Sequence, residues 1–365
     1  MRNKNFKYKV YKYALNKFPE RKLFCSLPFK HMEIFPDGQT NLCCYIKKSP
    51  GVVKNDNLLE IYNSKDAHEI RESILDGTFK YCDLISCPHF SSGNLPLQDS
   101  CKTEPFSSYI KNHTTKLDEL NLWLSFDSRC NLNCITCRND LIKYSEEENL
   151  KAEKFMQIVK NNLTEIHNLG ITGSGDPFAS QVFRDFLYNL DSSQYPDLKI
   201  FILTNGLLLN EKTWELMHKA HSSIASIQIS IDASKKETYE KIRIGGNFDK
   251  LLSNVKFVSQ LRKQGKISEF IISFVVNALN YKEMKDFINL GIEFSCEQVY
   301  FSFTCDWGVL SKDKYNELAI HLPEHKEHYL FLEELKNPVF NNSIVNLGNI
   351  KYLKLNPLLR NSLFS

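Results

Sequence analysis

The stretch "CNLNCITCR", residues 130–138, holds three cysteines, Cys130, Cys134 and Cys137, separated by three residues and then by two. A strand-like run, "LNLWLSF" (120–126), feeds it directly. A helix-like run, "SEEENLKAEKFMQIVKNN" (145–162), follows, with Ser145 as N-cap and Glu148 three residues on. Strand, loop and helix make the repeating unit of a parallel α/β sheet. A structural zinc site takes four ligands and a disulfide two. Three close thiolates leave one position open. A [4Fe–4S] cluster normally takes four cysteine thiolates, so three neighbours would fix three irons and leave the fourth to a small molecule. The plainer alternatives are a zinc ion drawing its fourth ligand from afar and cysteines packed as small hydrophobes.

Downstream, the same alternation continues. "EIHNLGITG" (165–173), "LKIFILTNG" (198–206), "IASIQISIDA" (224–233), "EFIISFVVN" (269–277) and "QVYFSFT" (298–304) contain strand-like runs. "QVFRDFLYNL" (181–190), "EKTWELMHKAH" (211–221), "FDKLLSNVKFVSQLRKQG" (248–265) and "KEMKDFINLG" (282–291) read as helices between them. Roughly six βα units predict a partial (βα)6 TIM-like barrel, with the loops after the strands on one functional rim. An open doubly wound sheet is the alternative.

Cys-x3-Cys-x2-Cys after the first strand of such a domain resembles the radical S-adenosylmethionine (SAM) superfamily. The resemblance spans about 120–305. It implies that the amino and carboxylate groups of SAM chelate the open iron, and that one electron from the cluster cleaves SAM to methionine and a 5′-deoxyadenosyl radical. "TGSGDPF" (172–178) looks like the family's Gly-Gly-Glu-Pro loop, with Asp176 in place of the commoner Glu. On that resemblance Gly173, Gly175, Asp176 and Pro177 are SAM-binding residues. Glycines there would let backbone carbonyls approach the SAM ammonium. "TNG" (Thr204, Asn205, Gly206) and "SID" (Ser230, Ile231, Asp232) stand where the family contacts the methionine and ribose parts of SAM. Thr204, Asn205, Ser230 and Asp232 are therefore candidates. Arg243, in "YEKIRIGG", resembles an arginine that pairs with the SAM carboxylate. Asn277 and Asn280 fall near positions used for adenine or ribose.

Ahead of this core lies a cysteine-rich region. "HMEIF" and "TNLCCYI" are strand-like, and Pro36-Asp37-Gly38 makes a turn between them. The hairpin brings Cys25 near Cys43 and Cys44, and Cys82 and Cys87 follow after one or two helices. This block resembles the auxiliary-cluster region called SPASM, or its shorter form, twitch. In most relatives it follows the barrel, whereas here it precedes it. The resemblance implies a second, auxiliary [4Fe–4S] cluster on Cys25, Cys43, Cys82 and Cys87. Cys44 is an alternative to Cys43, because adjacent strand residues face opposite ways. Structural zinc on the same residues stays open. Cys101 is read as a bystander, and Cys296 and Cys305 as buried thiols. His31, His89, His113 and His167 have no metal spacing.

The implied division is a basic segment (1–24), a SPASM/twitch-like α+β domain (25–105), a linker (106–119), a radical SAM core (120–305) and an extension (306–365).

Composition bounds the function. The chain has 365 residues, 42% apolar and 24% charged, as in an ordinary globular protein. No apolar run approaches a membrane span, and no apolar h-region follows the basic start. A cytoplasmic location is expected, where thiols stay reduced. Of 11 cysteines, nine lie in the first 137 residues, a density that argues for metal or cluster ligation over disulfides. Residues 1–22 carry eight Lys or Arg against one acid, a charge of +7 in a chain whose net charge is only +3. That segment reads as a solvated leader, or as an arm for an anionic partner. The expected function is an enzyme that abstracts hydrogen from a peptide or small-molecule substrate, possibly a sugar, with a reductant such as flavodoxin or ferredoxin. A non-catalytic zinc or iron–sulfur scaffold is the alternative. Nucleic-acid modification ranks lower, because the rim loops are near neutral.

Overall fold

The computed structural model describes residues 22–54, 57–84, 87–91, 95–171, 174–306 and 308–355. The basic segment apart from its last three residues, and the candidate Gly173, lie outside the described residues. The chain divides into two compact units. Up to Phe126 and again over Glu153–Leu169 it belongs to the first; Asp127–Ala152 and Gly170–Leu355 form the second.

In the first unit, β1 (Met32–Ile34) and β2 (Thr40–Asn41) form an antiparallel hairpin, with Glu33 opposite Asn41. β2 ends at Asn41, short of the strand expected over 40–46, so Cys43 and Cys44 lie in the turn region beyond it rather than on opposite faces of a strand. Gly38 in its turn has φ +87, a conformation other residues rarely adopt. A feature not legible in the sequence is that β1 also pairs in parallel with β3 (Leu120–Leu124), Met32 lying opposite Leu122. The cysteine-rich block therefore adds strands to the edge of the sheet. Strand order in this unit is β2-β1-β3-β4, where β4 (Ile166–Ile171) reaches the unit boundary. The helix Lys65–Leu75 is capped by Ser64, whose hydroxyl accepts from the Ala67 N–H. It buries Ala67, Ile70, Arg71 and Ile74 at helical spacing.

In the second unit β5 (Lys199–Thr204), β6 (Ile224–Ser230), β7 (Glu269–Val276) and β8 (Gln298–Phe303) pair in parallel in chain order. Their cores are β-branched and aromatic, and Ile227, Ile229, Phe270, Ile272, Phe274, Val299 and Phe301 are fully enclosed. A helix follows each strand, the longest being Phe248–Lys263 after β6. Asn247 caps that helix, and Gly265, at φ +71, ends it. A doubly wound sheet reverses its strand order at a switch point, and no reversal occurs here. The fold is the open, partial βα barrel. Beyond β8, read from the sequence as the last strand, a two-residue β9 (Val345–Asn346) adds in parallel to its edge.

The capping box after the cysteine loop is present. The Glu148 N–H donates to Ser145 Oγ (3.2 Å), and the Ser145 N–H donates to Glu148 Oε2 (2.7 Å).

Candidate functional site

All three core cysteines sit in the second unit. Their loop is held by backbone bonds to the end of the Lys236–Ile242 helix. Asn133 N–H donates to Ile244 O and Ile135 N–H to Ile242 O, each at 3.0 Å. The N–H groups of Cys137 and Arg138 both turn back onto Cys134 O. Leu132, fully buried, anchors the turn.

A side-chain donor reaches each thiol. Asn205 Nδ2 approaches Cys130 Sγ at 3.6 Å, Arg243 Nη1 approaches Cys134 Sγ at 3.7 Å, and Arg138 Nη2 approaches Cys137 Sγ at 3.4 Å. Burial pushes the Cys130 and Cys134 thiols up, while Arg243 pulls Cys134 back toward the anion. Burial alone would pull the Arg138 guanidinium down, but Cys137, Cys130 and Cys134 together raise it. The three sulfurs thus share one electrostatic neighbourhood.

The second loop explains its own residues. A Cβ on Gly175 would lie 2.4 Å from Arg129 O and 2.6 Å from Asp127 O. The glycine is therefore demanded by the cysteine loop's own backbone. Asp176 is 1% exposed and works as a staple. Its Oδ2 accepts from Thr204 Oγ1 (2.7 Å) and Asn205 N–H (2.8 Å), and its Oδ1 from Phe178 N–H (3.0 Å). Burial raises its carboxyl, and the Asn205, Thr204 and Phe178 donors oppose that rise.

A cavity of about 310 Å³ opens beside the sulfurs. Besides Cys130, Cys134 and Cys137, it is lined by Gly175, Thr204, Asn205, Ser230, Asp232 and Arg243 from the predicted set. Asp176 and Pro177 are not among its lining, nor are Asn277 and Asn280. Those two asparagines buttress the wall instead: Asn280 Nδ2 donates to Asp232 O at 2.9 Å, and Asn280 Oδ1 accepts from Asn277 N–H at 2.8 Å. Asp232 has φ +66 and pairs with Arg243, Oδ2 to Nη2, at 2.7 Å. Burial raises the Asp232 carboxyl, with Arg243 opposing; on Arg243 burial is outweighed by Asp232 and Cys134, and the guanidinium is raised. Arg243 Nε is buried without a partner among the described residues. Arg138, Thr304 and Cys305 also line the cavity, so Cys305, expected as a buried thiol, is instead half-buried on its wall. Arg138 had no assigned role in the sequence; the only signal was a cation directly after the third cysteine.

The residues fit the implied cofactors. Three thiols with individual donors, two buried guanidinium groups and an orphaned Nε beside a cavity suit an anionic cluster and a carboxylate-bearing ligand.

The first unit gathers the other thiols. Lys47 N–H donates to Tyr81 O (2.9 Å) and Asp83 N–H to Tyr45 O (2.7 Å), with Ile46 and Cys82 forming an antiparallel bridge. Cys25, Cys43 and Cys44 thereby share an electrostatic neighbourhood with Cys82 and Cys87. Burial pushes Cys25 up to about 11 and Cys82 up to about 12, with the neighbouring Cys87 adding to the rise at both. Cys43 is raised by its hydrogen bond with Cys44 and then by burial. Cys43 is buried and Cys44 exposed. Cys25, Cys43 and Cys82 stay protonated at neutral pH and release protons when metal binds, whereas the hydrogen bond with Cys43 pulls the Cys44 thiol down. Among the described residues, no three His, Cys, Asp or Glu side chains converge on a single metal ion. Cys101 lines a separate cavity of about 400 Å³, together with Cys25, Lys30 and His89. Cys296 is a buried thiol, pushed up to about 12 by its enclosure.

Comparison with known proteins decides the family. Residues 124–291 match the Radical SAM superfamily, and residues 25–102 match the SPASM iron–sulfur cluster-binding domain. The chain thus carries a radical SAM domain with a SPASM domain ahead of it. Members of this superfamily are enzymes, and the two domains imply [4Fe–4S] clusters and SAM as cofactors. The SPASM domain precedes the radical SAM core, as its cysteines indicated. Curated relatives include GTP 3′,8-cyclase of Clostridium botulinum (strain Hall), 26% identical over 185 residues, covering 50% of this chain and 54% of the relative. The cyclase of Limosilactobacillus fermentum is 28% identical over 169 residues, 46% of this chain and 48% of the relative. The chain thus spans about half the length of the curated radical SAM relatives it matches. Among solved structures, Streptococcus suis SuiB bound to S-adenosylmethionine has a TM-score of 0.44 at 16% identity, covering 67% of this chain and 53% of that one. Native anSMEcpe with bound AdoMet has a TM-score of 0.41 at 19% identity, covering 60% of this chain and 61% of that one. No helix among the described residues is long and apolar enough to cross a membrane.

Proposed function

We propose that this radical SAM protein reductively cleaves SAM and uses the product to abstract hydrogen from a peptide or small-molecule substrate. When bound, the [4Fe–4S] cluster and SAM supply a 5′-deoxyadenosyl radical. Cys130, Cys134 and Cys137 would hold three irons of that cluster. Asn205, Arg243 and Arg138 hold the thiolates in place. Arg243, Ser174 and Gly175 line the cavity where the amino-acid end of SAM would be received, and Ser230 and Asp232 on the same wall would offer acceptors to ribose hydroxyls. Asp176 acts at one remove, by fixing Thr204 and Asn205. Cys25, Cys82 and Cys87, with Cys43 or Cys44, would hold the auxiliary cluster, which would aid substrate oxidation or binding. A ferredoxin or flavodoxin supplies the electron.

The observation that carries this reading is the convergence of three separately hydrogen-bonded thiols and buried cations on one cavity lined from successive strand ends. A scaffold needs the thiols but not the cavity. The test is anaerobic reconstitution, followed by iron and sulfide counting and assay for 5′-deoxyadenosine after adding SAM and dithionite. About eight irons per chain and deoxyadenosine formation are expected. About four irons with stoichiometric zinc would assign the front site to zinc. No deoxyadenosine from a fully loaded protein would favour the scaffold. GTP, named in the curated relatives, belongs in the substrate panel beside peptides and sugars.

A further inference from the structure

Arg138 is a cation with an unusual set of partners. It is 8% exposed. Its Nη1 donates to Ser128 O at 2.9 Å, and its Nη2 donates to Ser174 O at 2.6 Å and to Cys137 Sγ at 3.4 Å. Among the described residues no carboxylate pairs with it. The other cations of this site differ. Arg243 is paired with Asp232, and Arg129 with Asp127. A buried charge is stable only when it is paired or richly hydrogen-bonded. For Arg138 the nearby groups able to carry negative charge are the three thiols. Its position is also central. Ser128 lies at the start of the cysteine loop, Cys137 at its end, and Ser174 in the glycine loop that lines the same cavity. One planar guanidinium spans all three, a geometry that a flexible ammonium does not reproduce.

We propose that Arg138 is a positioning residue that serves as the countercharge of the core cluster and clamps the cysteine loop to the Ser174 carbonyl. This rests on the radical SAM reading of the site. A fixed positive charge beside a cluster favours the reduced, more negative state, so Arg138 makes reduction easier. The clamp also commits Ser174 O to a guanidinium, which leaves the Gly175 backbone to face the ligand.

The test uses the full-length protein, reconstituted anaerobically, with the core cluster identified as the reduced signal that changes when SAM is added. Arg138→Gln removes the charge, and Arg138→Lys keeps the charge but not the fork. At a fixed solution potential, Arg138→Gln is expected to lower the ratio of reduced to oxidised core cluster about tenfold, which is about 59 mV for a one-electron couple. Arg138→Lys is expected to restore most of that ratio while binding SAM more weakly. An Arg138→Gln protein with parental iron content and parental reduction would overturn the proposal. So would an Arg138→Lys protein that loses reduction to the same extent as Arg138→Gln. If Arg138→Gln does not load a cluster, Arg138→Lys decides: parental reduction supports the countercharge, and failure of both to load in a folded protein would leave a clamp alone and overturn it. Failure of the family reading shows elsewhere, as the absence of any SAM-responsive signal in the parent.

Discussion

The two thiol sets of this molecule solve different problems. The core set spans eight residues of one loop, and distinct donors reach its three sulfurs, Asn205, Arg243 and Arg138. The front set draws on Cys25, Cys43, Cys44, Cys82 and Cys87, gathered from distant positions by a hairpin and a bridge. Burial dominates the front thiols Cys25 and Cys82, and Lys30 is only a minor opposing charge at Cys25. The core brings three thiols together with cations beside a cavity. The front holds more thiols than one cluster requires. Burial is the first cause at Cys25 and Cys82 as it is at Cys130 and Cys134, and the core differs by the side-chain donors at its sulfurs. On the proposed reading, local spacing suffices at the core because the fourth ligand would come from solution. A closed site needs tertiary structure to complete it.

The largest expected effect breaks the core alone. Cys134→Ala should abolish deoxyadenosine formation and lower iron from about eight to about four per chain, leaving the front cluster in place. Retained deoxyadenosine formation would refute the assignment of the core. The mirror experiment is Cys82→Ala. It should remove the front cluster, with a similar loss of iron, and still allow SAM cleavage, so that only conversion of the true substrate is lost. Loss of both signals would mean that the two thiol sets are not independent.

Asp176→Ala sharpens the comparison by separating a staple from a cofactor contact. It strands the Thr204 hydroxyl and the Asn205 and Phe178 N–H groups, at about 1–3 kcal/mol for a buried orphan. The apo protein should therefore lose about 3 kcal/mol in urea unfolding. An unchanged apo protein with impaired SAM binding would make Asp176 a ligand instead.

The smallest effect at neutral pH lies away from both thiol sets. His321 is buried against Phe303, with ring centroids 4.2 Å apart, and burial, followed by His328 and His325, pushes its imidazole down to about 3. An unfolded histidine titrates near 6.5. Between pH 6.5 and about 3 the unfolded chain takes up a proton that the folded chain refuses, so stability falls as pH drops through that window. His321→Phe should flatten this part of the acid limb and leave stability above pH 7 nearly unchanged. An unaltered acid limb, followed by chemical denaturation at a series of pH values, would count against a neutral buried His321.

The features legible in the sequence were those governed by near neighbours. Cys-x3-Cys-x2-Cys, the Ser145–Glu148 capping box, the Asp37-Gly38 hairpin and the strand–helix alternation each depend on spacings of a few residues. Their geometry follows from backbone periodicity and turn chemistry. What tertiary structure alone decided involves residues far apart in the chain. It placed β1 alongside β3, set Asp232 against Arg243, gave Asp176 to Thr204 and Asn205, and brought Arg138 between Ser128 and Ser174. The physical reason is that a buried charge or polar atom takes whichever partner the fold delivers to it, and no local spacing encodes that delivery.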